Sequence, residues 1–190
     1  MRTRARVAQG TDKPDLHEAE RLGALVGESR DKLEALLDFL RVGAQKSEIH
    51  QVEREILTRL LCLGRTLLEV FLAGKGTGAA PEGRVTRPSG EILPYHSIKP
   101  CGYASIFGKV EVRRAYYWGQ AEQGWFPLDA ELNLPAQRYS YLLQEWGELL
   151  GTDGSYEKVT ERLETLFGVT FWTQGVQHVA RAAAQDVQPF

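Results

Sequence analysis

Leu22, Val26, Ser29, Leu33, Leu36 and Leu40 recur at alternating spacings of four and three. This is one face of an α-helix, a heptad-like stripe with a single polar interruption. Asp15 suits its N-cap, and His17, Glu18 and Glu20 fill a first turn where carboxylates complement the helix dipole. Gly43 suits the C-terminal stop. A second helix, opened by Ser47, carries Ile49, Val52, Ile56, Leu60, Leu63, Leu67 and Val70 on one stripe. Leu57, Leu61, Leu68 and Phe71 widen it beyond a narrow seam. Two long helices with a short connection predict an antiparallel helical hairpin. So wide an apolar stripe is hard to bury within two helices, so pairing between molecules is the alternative.

The period then changes. Residues 74–90 contain five glycines and two prolines, the composition of a linker or mobile loop. Beyond it, Ile106, Val110, Val112 and Ala115 interleave with Lys109, Glu111 and Arg113, predicting a half-buried strand pair turning at Gly108. Tyr116, Tyr117 and Trp118 suit a strand end. Three or four short antiparallel strands are expected between about Arg84 and Phe126. From Tyr139 the helical period returns, with Leu142, Leu143, Trp146, Leu149 and Leu150 on one face. A further helix opened by Ser155 carries Val159, Leu163, Leu166 and Phe167, and a last one runs from about Thr173 to Val187. The reading is an α+β fold: a basic arm over 1–14, a helical hairpin over 15–75, a small antiparallel β module over 76–137, and a helical unit with a helix-turn-helix over 138–190.

Composition narrows the classes. The 190 residues are 43% apolar and 25% charged, an ordinary globular balance. Cys62 and Cys101 are too few for a disulfide-rich scaffold or a four-cysteine zinc site and read as reduced thiols. The longest apolar candidate, Leu60 to Ala73, is short for a membrane span and contains Arg65 and Glu69. The basic start, Arg2, Arg4 and Arg6, is followed by no apolar stretch, so a cytoplasmic protein without membrane contact is expected. The formal net charge of -2 conceals an uneven distribution. Residues 84–118 hold six basic side chains (Arg84, Arg87, Lys99, Lys109, Arg113, Arg114) against Glu91 and Glu111. Residues 119–190 hold four basic against ten acidic. The middle segment is where an anionic partner would be met, unless the rest of the fold neutralises it.

Candidate chemistry concentrates at the end. Two helices about a Gly-containing turn, Ser155 to Ala184, have helix-turn-helix form, in which outward residues of the second helix face the major groove. Those residues are Thr173, Gln174, Gln177, His178 and Arg181. Gln can bond adenine bidentately, Arg can bond guanine, and Thr can touch phosphate or a thymine methyl. A plain helical pair has the same pattern, and Glu157, Glu161 and Glu164 on the first helix oppose a polyanion unless they face away. Arg113 and Arg114 point to opposite faces of a strand, so at most one of them joins a given phosphate-binding surface. The four histidines are dispersed, no serine has a nucleophile elbow, and Gly74 to Gly78 lacks the spacing of a phosphate loop. Asp129 reads as a helix cap or turn. No catalytic residue, metal site or cofactor is indicated.

Several segments together resemble one family. They are Val52–Leu57, Leu63–Glu69, Ser105–Tyr117, Phe126–Pro135 and Tyr139–Trp146. Their order and content resemble the N-terminal portion of ISKra-type insertion-sequence transposases, from about Gln51 onward, most specifically in the strand and Pro-Leu-Asp segments. The resemblance implies a DNA-binding and assembly region in bacterial DNA transposition, with the element's terminal repeats as DNA partner. It implies a catalytic ribonuclease-H-like domain, with its metal-binding acidic residues, beyond Phe190, so that this chain is no enzyme by itself. The cysteine pairs that suggest a zinc ribbon in some relatives are missing from Tyr117–Gln120. The ending just after the helix-turn-helix resembles a truncated or frameshifted reading frame. The runner-up is an oligomerisation module that pairs with itself or with full-length transposase without touching DNA.

Overall fold

The computed structural model describes residues 14–119, 124–151 and 156–167. Helix α1, Pro14–Arg41, leads through a 3-10 turn, Gly43–Lys46, into α2, Ile49–Lys75. The start of α2 is fixed by Glu48 rather than Ser47. The Glu48 carboxylate accepts from the Gln51 backbone N–H, and the Gln51 side chain accepts from Glu48 N at 3.2 Å. That reciprocal pair satisfies two donors at the open helix end.

The two helices form the expected antiparallel hairpin, but its seam is more polar than the stripe suggested. Thr66 has no exposed surface, and its hydroxyl accepts from Lys32 Nζ at 2.6 Å. Ser29, the polar interruption, is buried and donates to the Leu25 carbonyl at 2.8 Å, so burying it leaves no donor unsatisfied. Arg59 lies over the Phe39 ring and donates to the Ala35 carbonyl. Lys32 also pairs with Glu28 at 2.7 Å, and that hydrogen bond and charge hold the Glu28 carboxyl below the usual carboxylate range. With Leu36 the buried apolar residue of α1, the expected inward residues Leu33, Leu60 and Leu67 stay 46–50% exposed. Long polar side chains occupy the space between the helices and rotate the leucine rows aside.

Three strands follow in the order β1-β2-β3, all antiparallel: β1 Arg84–Thr86, β2 Ile92–Ser105 and β3 Gly108–Tyr117. Cys101 pairs with Val112 and Ser105 with Gly108, while a bulge interrupts the register at Tyr95/Ser97. The turn is Ile106-Phe107, so Ile106 belongs to the turn and not to a strand. Ser105 Oγ accepts from Phe107 N and donates to the Gly108 carbonyl, and Gly108 takes a φ of 111°, which only glycine adopts without strain. β2 extends back to Ile92 through Pro94 and Pro100, longer than alternation alone indicated.

The glycine-rich stretch after α2 is no free linker. Ala115 N donates to the Thr77 carbonyl, and Ala80 N donates to the Tyr117 hydroxyl at 2.6 Å. Thr77 is buried, and Gly78, at a φ of 70°, lies against Leu128. Leu93, Ala115 and Tyr117 close one core with Ala80, Val85, Ile98 and Trp125.

Three shorter helices complete the α+β fold: α3 Pro127–Glu131, α4 Tyr141–Gly151 and α5 Tyr156–Phe167. Ser140 joins the sheet to α4. Its N–H donates to the Ala104 carbonyl, and its Oγ accepts from Leu143 N. A second core of Leu143, Val159 and Leu163 packs with Ile106, Trp146, Leu150 and Phe167. The expected inward residues Leu142, Leu149 and Leu166 are exposed instead.

Arg114 is the one arginine in the described core. It is 7% exposed, its Nη1 donates to Asp129 Oδ2, and its guanidinium lies 4.0 Å from the Phe126 ring centre. Asp129, in the first turn of α3, thus ties that helix to β3. Arg114 Nε and Asp129 Oδ1 are buried and make no further hydrogen bond among the described residues. Losing one partner would strand a buried charge, although Asp129 is one-third exposed and water softens that loss. Replacing Asp129 with Ala is expected to cost about 2–3 kcal/mol in urea denaturation, and adding Arg114→Met should recover part of it.

Candidate nucleic-acid interface

Arg113 and Arg114 are separated by the strand, as alternation requires. Arg114 is committed to Asp129 and Phe126, so the phosphate-contact expectation does not hold for it: a buried, paired guanidinium offers no face to DNA. Arg113 is half-buried and shares a small crevice with Glu18, Arg21 and Glu111. Thr173, Gln174, Gln177, His178 and Arg181 lie outside the described residues.

Part of the positive excess of residues 84–118 is answered within the fold. Arg84 pairs with Glu82, Arg87 with Glu91 at 3.1 Å, and Arg114 with Asp129. Lys99 Nζ sits 3.5 Å from the centre of the Tyr116 ring. Glu82 and Asp129, from outside the segment, thereby offset part of its positive charge.

A different basic surface is formed in three dimensions. The β2–β3 turn projects Phe107 onto α2, where Gly64 leaves room for its ring; a Cβ there would fall 2.6 Å from it. The turn, α2 and the end of α5 then enclose an open groove of about 1050 Å³. Arg54, Arg65 and Lys109 line it, with His50 and Glu53 at one side. Its floor is Leu57, Leu61 and Phe107, and Leu166 and Phe167 close the far wall. Arg54 and Arg65 are exposed and form no ion pair among the described residues. His50 Nδ1 lies 3.4 Å from Glu48 Oε2.

Cationic side chains beside exposed apolar surface can hold a phosphate backbone and accept stacked or packed groups. Sequence reading passed over Arg54 and Arg65, although a signal was available. They are eleven residues apart, about three helical turns, which places both on one face of α2. That the sheet turn and α5 meet on this face was not legible from either segment alone. Among the described residues, no group of three His, Cys, Asp or Glu is placed to hold a metal ion. Among them, too, no helix is long and apolar enough to cross a membrane.

The exposed thiol of Cys62 lines the groove, whereas Cys101 is buried in β2. Ellman's reagent should therefore titrate one thiol rapidly in the native chain and the second only in denaturant. Two fast thiols would contradict this placement of β2.

No protein-family profile and no solved structure matches the chain. Among curated proteins, a stretch of 83 residues is 32% identical to the "UPF0236 protein in vanSb 3'region" of Streptococcus gallolyticus. The match covers 43% of this chain and spans 18% of that relative's length.

Proposed function

We propose that this chain is the DNA-binding and assembly region of a bacterial insertion-sequence transposase, with strand-transfer chemistry supplied by a ribonuclease-H-like domain outside the described residues. The observation that carries the DNA half is the groove on α2, with Arg54, Arg65 and Lys109 converging beside Phe107 and the end of α5. The segments that place Arg54, Arg65 and Lys109 are among those that resemble the transposase family. In this reading the groove holds the phosphate backbone, and Gln174, Gln177 and Arg181 read bases, with Thr173 and His178 alongside. Arg113 adds at most a peripheral phosphate contact, and Arg114 is structural. The assembly half rests on Leu33, Leu60 and Leu67, which the hairpin leaves exposed.

The test is a fluorescence-anisotropy titration of the chain with the element's terminal repeat and with a scrambled duplex, at two salt concentrations. The repeat should bind more tightly, and the preference should persist at the higher salt. Replacing Arg54 and Arg65 together with Ala should weaken both duplexes alike and lower the salt slope by about two. Arg181→Ala should instead erode the preference for the repeat. No binding to either duplex, or binding indifferent to Arg54 and Arg65, overturns the reading of the groove.

A further inference from the structure

We infer that the α1–α2 hairpin carries a self-association surface, and that its occupant is the hairpin of a second copy of this chain, giving a two-fold symmetric four-helix bundle. The inference rests on the assembly half of the proposed function and is independent of DNA.

Helix α2 has three faces. Thr66 and Arg59 turn toward α1, and Gly64 faces Phe107, with Leu61 beside it in the groove. The third face carries Leu60, Leu67 and Phe71, spaced seven and four apart and 47–51% exposed. On α1, Leu33 and Leu37 are 46% and 43% exposed, with Val26 and Leu40 half-buried beside them. Each row is displaced in the same rotational sense from its helix's seam. In an antiparallel pair of right-handed helices, equal senses bring both rows to the same flank. The opposite flank is polar: Glu28, Lys32, Glu55 and Arg65 lie there, and Arg65 is close enough to help lower the Glu28 pKa.

The flank is therefore an apolar strip running the length of the hairpin. Helices of 28 and 27 residues are about 40 Å long, and two side by side are about 20 Å wide. The product, roughly 800 Å², is what each partner contributes to a stable dimer interface. An occupant must be helical, apolar along one side and equally long. The other full helices described, α4 and α5, have 11 and 12 residues and are engaged with each other, so neither can cover it. A second α1–α2 hairpin has the length and the pattern, and four helices bury what two leave open.

Charge selects the orientation. Helix α1 carries seven carboxylates and four basic side chains, and α2 carries three and four. A two-fold axis along the helices sets α1 of one copy against α2 of its partner, acidic helix on basic helix. It also brings Arg41, at the rim, within reach of the partner's Glu53. An axis across the helices would set the two acidic helices together.

The experiment is sedimentation equilibrium of the full chain without DNA. The expected result is a reversible dimer, twice the 21.3 kDa chain mass. The paired substitution Leu60→Glu and Leu67→Glu should weaken the dimer at least a hundredfold while helical circular dichroism is kept. Leu142→Glu, equally exposed on α4, should leave it intact. Should the paired variant lose helicity, a Cys62→Ser background keeps the question open to decision. There, chains bearing Leu37→Cys and chains bearing Leu60→Cys should cross-link to each other through a short bis-maleimide. A monomer at every concentration, a dimer untouched by the leucine changes, or no mixed cross-link overturns the inference. A dimer that ignores DNA would keep it and remove the DNA reading. A monomeric chain that still binds the terminal repeat would do the reverse.

Discussion

Helix α2 has to satisfy two neighbours at once while leaving a third face open, and the rest of the molecule is arranged around that demand. One side meets α1 through Thr66 and Arg59, a second receives Phe107 of the sheet turn at Gly64, and the third is left apolar and open. A helix can present three faces only if each contact is narrow, and the side chains in place make them narrow. The Thr66 hydroxyl accepts one ammonium, and Gly64 admits one ring. A bulkier residue at position 64 would force the Phe107 ring to shift, since a Cβ there would fall 2.6 Å from it.

The polar seam has a consequence for assembly. A half-buried lysine–threonine contact stabilises a helix pair less than leucines in the same place would, but it restricts which register the pair can adopt. The hairpin thereby acquires a defined geometry while its leucines remain available for another surface. The sheet is organised by the same economy of specific contacts. The Tyr117 hydroxyl and the Thr77 carbonyl hold the glycine-rich stretch against β3, and the Arg114–Asp129 pair holds α3. Of the basic residues over 84–118, Arg84 and Arg114 are held by carboxylates from outside that segment, and Lys109 joins Arg54 and Arg65 of α2 at the groove.

Most of the longer elements described were legible in the sequence. The four-three spacing from Leu22 to Leu40, the stripe from Ile49 to Val70, the alternation from Lys109 to Ala115 and the turn at Gly108 are local patterns. Local backbone geometry acts on residues only a few positions apart, so such patterns survive in one dimension. The α+β class follows from them. Which leucines of a wide stripe face inward, whether a glycine-rich segment is a tether or part of a sheet, and which of two adjacent arginines reaches solvent are different questions. Their answers depend on Lys32 meeting Thr66, Tyr117 meeting Ala80, and Arg114 meeting Asp129, contacts between residues 15 to 37 positions apart. The sequence by itself determined the helices, the strand pair and the excess of apolar surface on the hairpin. Only the tertiary structure decided where that surface lies and where Arg54, Arg65 and Lys109 converge, because burial and charge pairing are set by partners distant in the chain.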